Sequence, residues 1–160
     1  MITLKTLHSA TLQEIFDQAA KHLLTQNEQA MTFDKDGNKN CLYRSATGTK
    51  CAVGCFIADD EYSPQLENTA FLVFARVLQP SNMYTSEYVN TSNAKNIAVE
   101  KNWFGAGLDE QQYQLLSALQ VMHDEYVPDT MYKPPQYIFE NSLAEIASRF
   151  DLTYDRSKYI

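Results

Sequence analysis

Apolar residues recur at intervals of three and four along four separated stretches of this chain, and that periodicity restricts the fold more than any other feature. Leu12, Ile15, Phe16, Ala19 and Leu23 form one stripe that runs to about Gln26. Phe71, Phe74, Val77 and Leu78 form a second within Leu66 to Leu78, and Leu115, Leu116, Leu119 and Met122 a third between Leu108 and Asp124. A fourth joins Phe139, Leu143, Ile146, Ala147 and Phe150 between Gln136 and Phe150. Each stripe needs a partner surface, so the helices must pack on one another. With the short apolar segment Cys51 to Ile57 read as one further helix, the expectation is a mainly α (α+β) fold: four to five helices around one core, with a small antiparallel β-hairpin.

Local signals place the boundaries. Thr11-Leu12-Gln13-Glu14 is a capping box, in which the threonine oxygen accepts from the backbone N–H three residues on and the glutamate reaches back. Met31-Thr32-Phe33 and Cys41-Leu42-Tyr43 are β-prone runs around an Asp36-Gly37 turn, which predicts the hairpin. Ser45 to Thr49 reads as a loop. Gly54, inside the Cys51 segment, reads as a close-packing position. Ser63-Pro64 opens the second long helix, Pro80 stops it, and Asp109 and Glu110 favour the start of the next through the helix dipole. The 160 residues suit one compact domain, 1–160, with a surface excursion at 81–103 where Asn, Ser, Thr and Tyr replace any clear period.

Composition narrows the function classes. Thirteen basic against twenty acidic side chains, a net charge of −7, argue against binding nucleic acid through its phosphate backbone. The longest purely apolar run, Ala70 to Ala75, is far shorter than the roughly twenty residues of a membrane-spanning helix. Three cysteines cannot all pair, and Met1 to Ala10 lacks a signal-peptide pattern, so a cytoplasmic, reducing compartment is expected.

All three cysteines, Cys41, Cys51 and Cys55, fall within fifteen positions, with Arg44 and Lys50 beside them. A tetrahedral zinc site of Cys41, Cys51, Cys55 and His123 (or His22) is conceivable, but the spacing lacks the paired-cysteine knuckle of zinc ribbons, so no cofactor is expected. A nucleophilic Cys51, its pKa lowered by a helix start and by Lys50 or Arg44, with His123 as general base, is the enzyme reading. Asp124 is not expected to orient His123, because adjacent helical residues project about 100° apart. Arg44, Lys50 and Tyr43 could instead hold a phosphate or carboxylate. Gly48-Thr49-Lys50 superficially resembles a P-loop, yet Tyr43 stands where its first glycine belongs. Asp59, Asp60 and Glu61 read as solvated acids, with a Mg2+ site as the alternative. The thiols are expected mainly to pack the base of a pocket.

The string Cys41-x-Tyr43-Arg44, Gly48-x-Lys50-Cys51-Ala52-Val53-Gly54-Cys55-x-Ile57 and Asp60-Glu61-Tyr62-x-Pro64 resembles small uncharacterised proteins of phages and bacterial genomes. The likeness extends to His22-Leu23-Leu24-Thr25-Gln26 and to Leu119-Gln120-x-x-His123-Asp124, and covers most of the chain outside 81–103. It implies a compact domain of phage or bacterial origin with His22, Tyr43, Arg44, the cysteines, His123 and Asp124 as the positions to test. The functional expectation is an accessory protein that binds a host protein or a small anionic ligand, as in host-defence modulation. A Cys-His hydrolase or transferase, and a small zinc-stabilised structural domain, are the alternatives.

Overall fold

A computed structural model describes residues 1–69, 107–125 and 136–160. Among these, helix α1 (Leu12–Gln26), strands β1 (Met31–Phe33) and β2 (Lys39–Cys41), and helices α2 (Glu110–Glu125) and α3 (Gln136–Arg149) make an α+β arrangement. The strands pair antiparallel, Met31 opposite Cys41, and the three helices contact one another pairwise around the core. The expected helix Leu66 to Leu78 falls mostly outside the described residues, as does the excursion at 81–103. The described beginning of that helix, Leu66 to Asn68, belongs instead to a short 3-10 turn, Pro64–Asn68, begun by the Ser63 side chain accepting from the Gln65 amide.

The helix ends follow from local chemistry. In α1 both halves of the capping box form: Glu14 N–H donates to Thr11 Oγ1 at 3.2 Å, and Thr11 N–H to Glu14 Oε2 at 2.8 Å. Asn27 in the left-handed conformation, φ 49°, ends it. Asp109 and Gln112 make an equivalent reciprocal pair before α2, at 2.8 and 3.1 Å. There too, backbone N–H groups at the helix start, which have no partner within the helix, find side-chain oxygens. Ile15, Phe16, Ala19 and Leu23 are buried against Leu115, Leu116, Leu119, Phe139 and Leu143. Each such fully buried large side chain contributes about 1.5–3 kcal/mol, so the stripes hold the helices together.

The hairpin is present but starts its second strand two residues earlier than the β-prone run predicts. The Asp34 carboxylate accepts from the amides of Asp36 and Asn38 at 2.8 and 2.9 Å, and Gly37 takes φ 83°. This Asx turn sets the register and draws Lys39 and Asn40 into the ladder despite their low β-propensity. Cys51 to Ile57 is a turn followed by a 3-10 turn, Gly54–Phe56, shorter than the expected helix. Its backbone lies against Tyr43: Cys51 N–H donates to Tyr43 O at 3.3 Å, and a Cβ on Gly54 would stand 2.0 Å from that same oxygen. The close-packing role of Gly54 is therefore real.

Candidate functional site

The cysteine segment is wired to the helices by buried polar groups. Val53 N–H donates to Gln120 Oε1 at 3.1 Å, and Gln120 Nε2 donates to Asp124 Oδ1 at 2.7 Å. His123 Nδ1 donates to the same carboxylate oxygen at 2.9 Å, while its Nε2 accepts from Ala30 N–H at 3.2 Å. The amide can only donate, so the neutral ring carries its proton on Nδ1. His123 is fully buried and stacks on Phe139. Asp124 thus does orient His123, against expectation. Both side chains lie in the last turn of α2, where rotamers swing adjacent side chains together beyond the ideal helical angle.

This arrangement leaves no nitrogen of His123 for a thiol. Cys51 is fully buried, its Sγ accepting from Gly54 N–H at 3.2 Å, and burial pushes its pKa up to about 12. The expectation of an activated Cys51 is overturned, because loss of water outweighs the local amides that favour the thiolate. Cys55 donates to Ala52 O at 3.1 Å, and burial raises its pKa as well. Cys41 is half-buried beside Asp124, and burial lifts it to about 11.

Among the described residues, the ligand-bearing atoms within 4.8 Å of one another belong to Cys41, His123 and Asp124. Cys51 and Cys55 do not join them, so the expected three-cysteine set is not assembled. The donor set also fits a metal poorly. One His123 nitrogen accepts a backbone N–H and the other carries the ring proton, so either would have to give up a buried hydrogen bond before it could ligate.

The basic residues near the thiols are similarly occupied. Arg44 pairs with Asp59 at 2.9 Å, reaches the Ile57 carbonyl at 3.3 Å and lies 4.4 Å over the Tyr62 ring. Lys50 Nζ approaches the Ile57 carbonyl at 3.5 Å. Tyr43 is buried, its hydroxyl donating to Thr69 O at 2.8 Å, and burial raises its pKa. Glu67 accepts the amides of both Tyr43 and Arg44, at 2.8 and 2.9 Å. These side chains build the loop, and an anion there would meet guanidinium already neutralised by Asp59.

The three acids beyond it divide in the same way. Asp59 pairs with Arg44 and Asp60 with Lys5 at 3.0 Å. Glu61, expected to be solvated, is buried and accepts from the amides of Leu4, Lys5 and Ala58 at 3.0–3.1 Å. It ties the N-terminal segment to the cysteine segment, which leaves no shared Mg2+ cradle.

His22 lies elsewhere, in a cavity of about 720 Å3 between α1 and the C-terminal turn. Lys21, Thr25 and Gln26 line it from α1, one helical turn from Asp17 and Gln18, and Lys158 and Tyr159 face them. Tyr159 is clamped by donating to Asp17 Oδ1 at 2.6 Å, which holds the C-terminal turn on the helix. His22 Nε2 contacts Lys50 O at 2.9 Å, an oxygen that Gln26 also reaches at 2.9 Å. Burial lowers the His22 pKa from its ordinary 6.5, partly offset by the Lys50 carbonyl, and the Lys50 charge lowers it further.

No protein-family model, curated protein or solved structure matches the chain. The site is therefore argued from its own geometry. His22 is one of the candidate positions named from the sequence, and the structure surrounds it with residues that were not among them. Asp17, Lys21 and Thr25 recur every four positions on the polar side of α1, a signal available in the sequence. Lys158 and Tyr159 carried none, since only folding brings them across.

Proposed function

We propose that this chain is a phage- or mobile-element-related accessory protein, a single cytoplasmic α+β domain of four to five helices. It acts by binding, without turning over a substrate, and its ligand is a small organic anion seated in the cavity beside His22. The observation that carries this reading is the lining of that cavity, where two lysines, Lys21 and Lys158, share mixed polar and apolar walls with one carboxylate, Asp17. The side chains alone leave one net positive charge there, to which the amino terminus of Met1 in the same wall adds; in a protein of net charge −7 this is a local reversal of sign, and it favours an anion. The phage or mobile-element origin rests on the likeness of the Cys-Ala-Val-Gly-Cys string. The buried thiols and the fully engaged His123 favour binding over a Cys-His reaction.

The ligand arm of the proposal is favoured over a host protein because a cavity of this size suits a small molecule. Equilibrium dialysis against phosphomonoesters, sulfonates, dicarboxylates and nucleotides tests it. At least one class binds, and the double variant Lys21→Gln, Lys158→Gln weakens it about tenfold or more, as expected for two lost charge-assisted contacts. A natively folded protein that binds none of them at millimolar concentration, and instead retains a stoichiometric host protein, overturns the ligand reading.

A further inference from the structure

The inference rests on the small-anion reading above and names the class of anion. A carbonyl oxygen only accepts, so the contact between His22 Nε2 and Lys50 O places the ring proton on Nε2 in the neutral form. Nδ1 then holds a lone pair, and no described residue bonds to it. The cavity that His22 lines thus combines lysines with a hydrogen-bond acceptor. A carboxylate or sulfonate brings only lone pairs to Nδ1 and is accepted there only if His22 itself takes up a proton, which burial and the Lys50 charge oppose. An anion that also carries a proton needs no such uptake.

We propose that the cavity binds a phosphomonoester, with one proton shared between a phosphate oxygen and His22 Nδ1 while Lys21 and Lys158 face the remaining negative charge. The second ionisation of a phosphomonoester lies near pH 6, so about one proton is within reach at neutral pH. The balance is simple. A dianion binding to neutral His22 takes one proton from solvent, and a monoanion brings its own. No covalent bond to phosphorus forms or breaks. The bound phosphate together with the one shared proton carries a single negative charge, which matches the net positive charge of the Lys21, Lys158 and Asp17 side chains.

The groups around His22 support its taking part. Asp17 and Lys21 line the cavity with it from α1, Lys50 supplies the carbonyl and a nearby ammonium, and Cys55, Lys158, Tyr159 and Met1, which carries the α-amino group, stand in the wall. His123 is close enough to act on it electrostatically. Burial and the Lys50 charge keep His22 neutral in the empty cavity at pH 7, and a phosphate beside Nδ1 reverses that balance.

Calorimetric titration with phenyl phosphate as probe, in buffers of differing ionisation heat, counts the protons taken up, and benzenesulfonate serves as a fixed-charge control. The expected result is uptake approaching one proton near pH 7.5, with the apparent Kd of phenyl phosphate weakening up to about tenfold per pH unit above neutrality. Benzenesulfonate binds more weakly and with a shallower slope, and His22→Gln loses the uptake. Phenyl phosphate that binds with no proton uptake, with uptake unchanged in His22→Gln, or no better than benzenesulfonate overturns the inference and leaves the anion reading standing. If neither probe binds, the phosphomonoester inference falls, and the anion reading falls with it when dicarboxylates and nucleotides also fail in the dialysis.

Discussion

His22 and His123 both sit on helices of the core, and both use one ring nitrogen to fix the tautomer. They differ in the other nitrogen. His123 Nδ1 donates to Asp124 while Nε2 accepts from Ala30, so the ring joins α2 to the segment that enters β1. His22 spends Nε2 on the Lys50 carbonyl and leaves Nδ1 to a cavity. A histidine with both nitrogens satisfied is framework, because any new partner must first break a buried bond. One with a nitrogen left open can respond to a ligand. The same contrast separates the cysteine segment, closed on itself by Glu61, Glu67 and Gln120, from the cavity between α1 and the C-terminal turn.

The framework half of this contrast can be broken most severely at Gly54. Gly54→Ala sets a methyl 2.0 Å from the Tyr43 carbonyl, a backbone atom that cannot move without pulling β2 and Glu67 with it. A loss of about 3 kcal/mol or more is expected, read as a fall of roughly 10 °C in Tm. A melt within a degree of the parent would show that the segment yields.

His123→Phe comes next. It keeps a ring against Phe139 but strands the Ala30 amide and removes the donor to Asp124, at a cost of about 2–3 kcal/mol in urea unfolding. If the variant were as stable as the parent, the pair would not be framework.

The thiols sharpen the comparison without changing stability. Burial holds Cys51 up to about 12 and encloses its sulfur, whereas Cys41 at about 11 is half-exposed. Iodoacetamide at mildly alkaline pH should therefore modify Cys41 first, with Cys51 protected until the chain unfolds. Mass mapping that finds Cys51 labelled as fast as a free thiol would restore the nucleophile.

The smallest effect belongs to His22. Its folded pKa lies below the unfolded 6.5, so the unfolded chain binds the proton first as pH falls. The stability it contributes is complete above that unfolded value and is lost as pH drops through the folded one. Comparing Tm of the parent and His22→Gln across pH 8 to 5 checks this, and the parent should lose more than the variant on the acidic side. Identical profiles would mean that burial does not act on His22 as argued.

Helix positions were legible because a stripe of apolar residues and a capping box are local: Thr11 to Gln26 needs nothing beyond its own neighbours. The hairpin was legible in kind but shifted in place, since Asp34 decides the register through its carboxylate and overrides the better β-formers Leu42 and Tyr43. The site was half legible. His22 is legible as a candidate, but that Asp17, Lys21, Lys158 and Tyr159 share its cavity with Cys55 is not.

The amino-acid sequence alone determined three of the helices described, the turn that makes the hairpin, and the glycine at which two backbones meet, because each depends on periodicity or on the absence of a side chain. Only the tertiary structure decided which polar groups are spent and which are left over. Whether a histidine is framework or site, and whether Glu61 is solvated or buried, depends on which amides arrive from distant segments. Those partners are set by packing across the core, where hydrogen-bond satisfaction is a property of the whole fold and of no short stretch of chain.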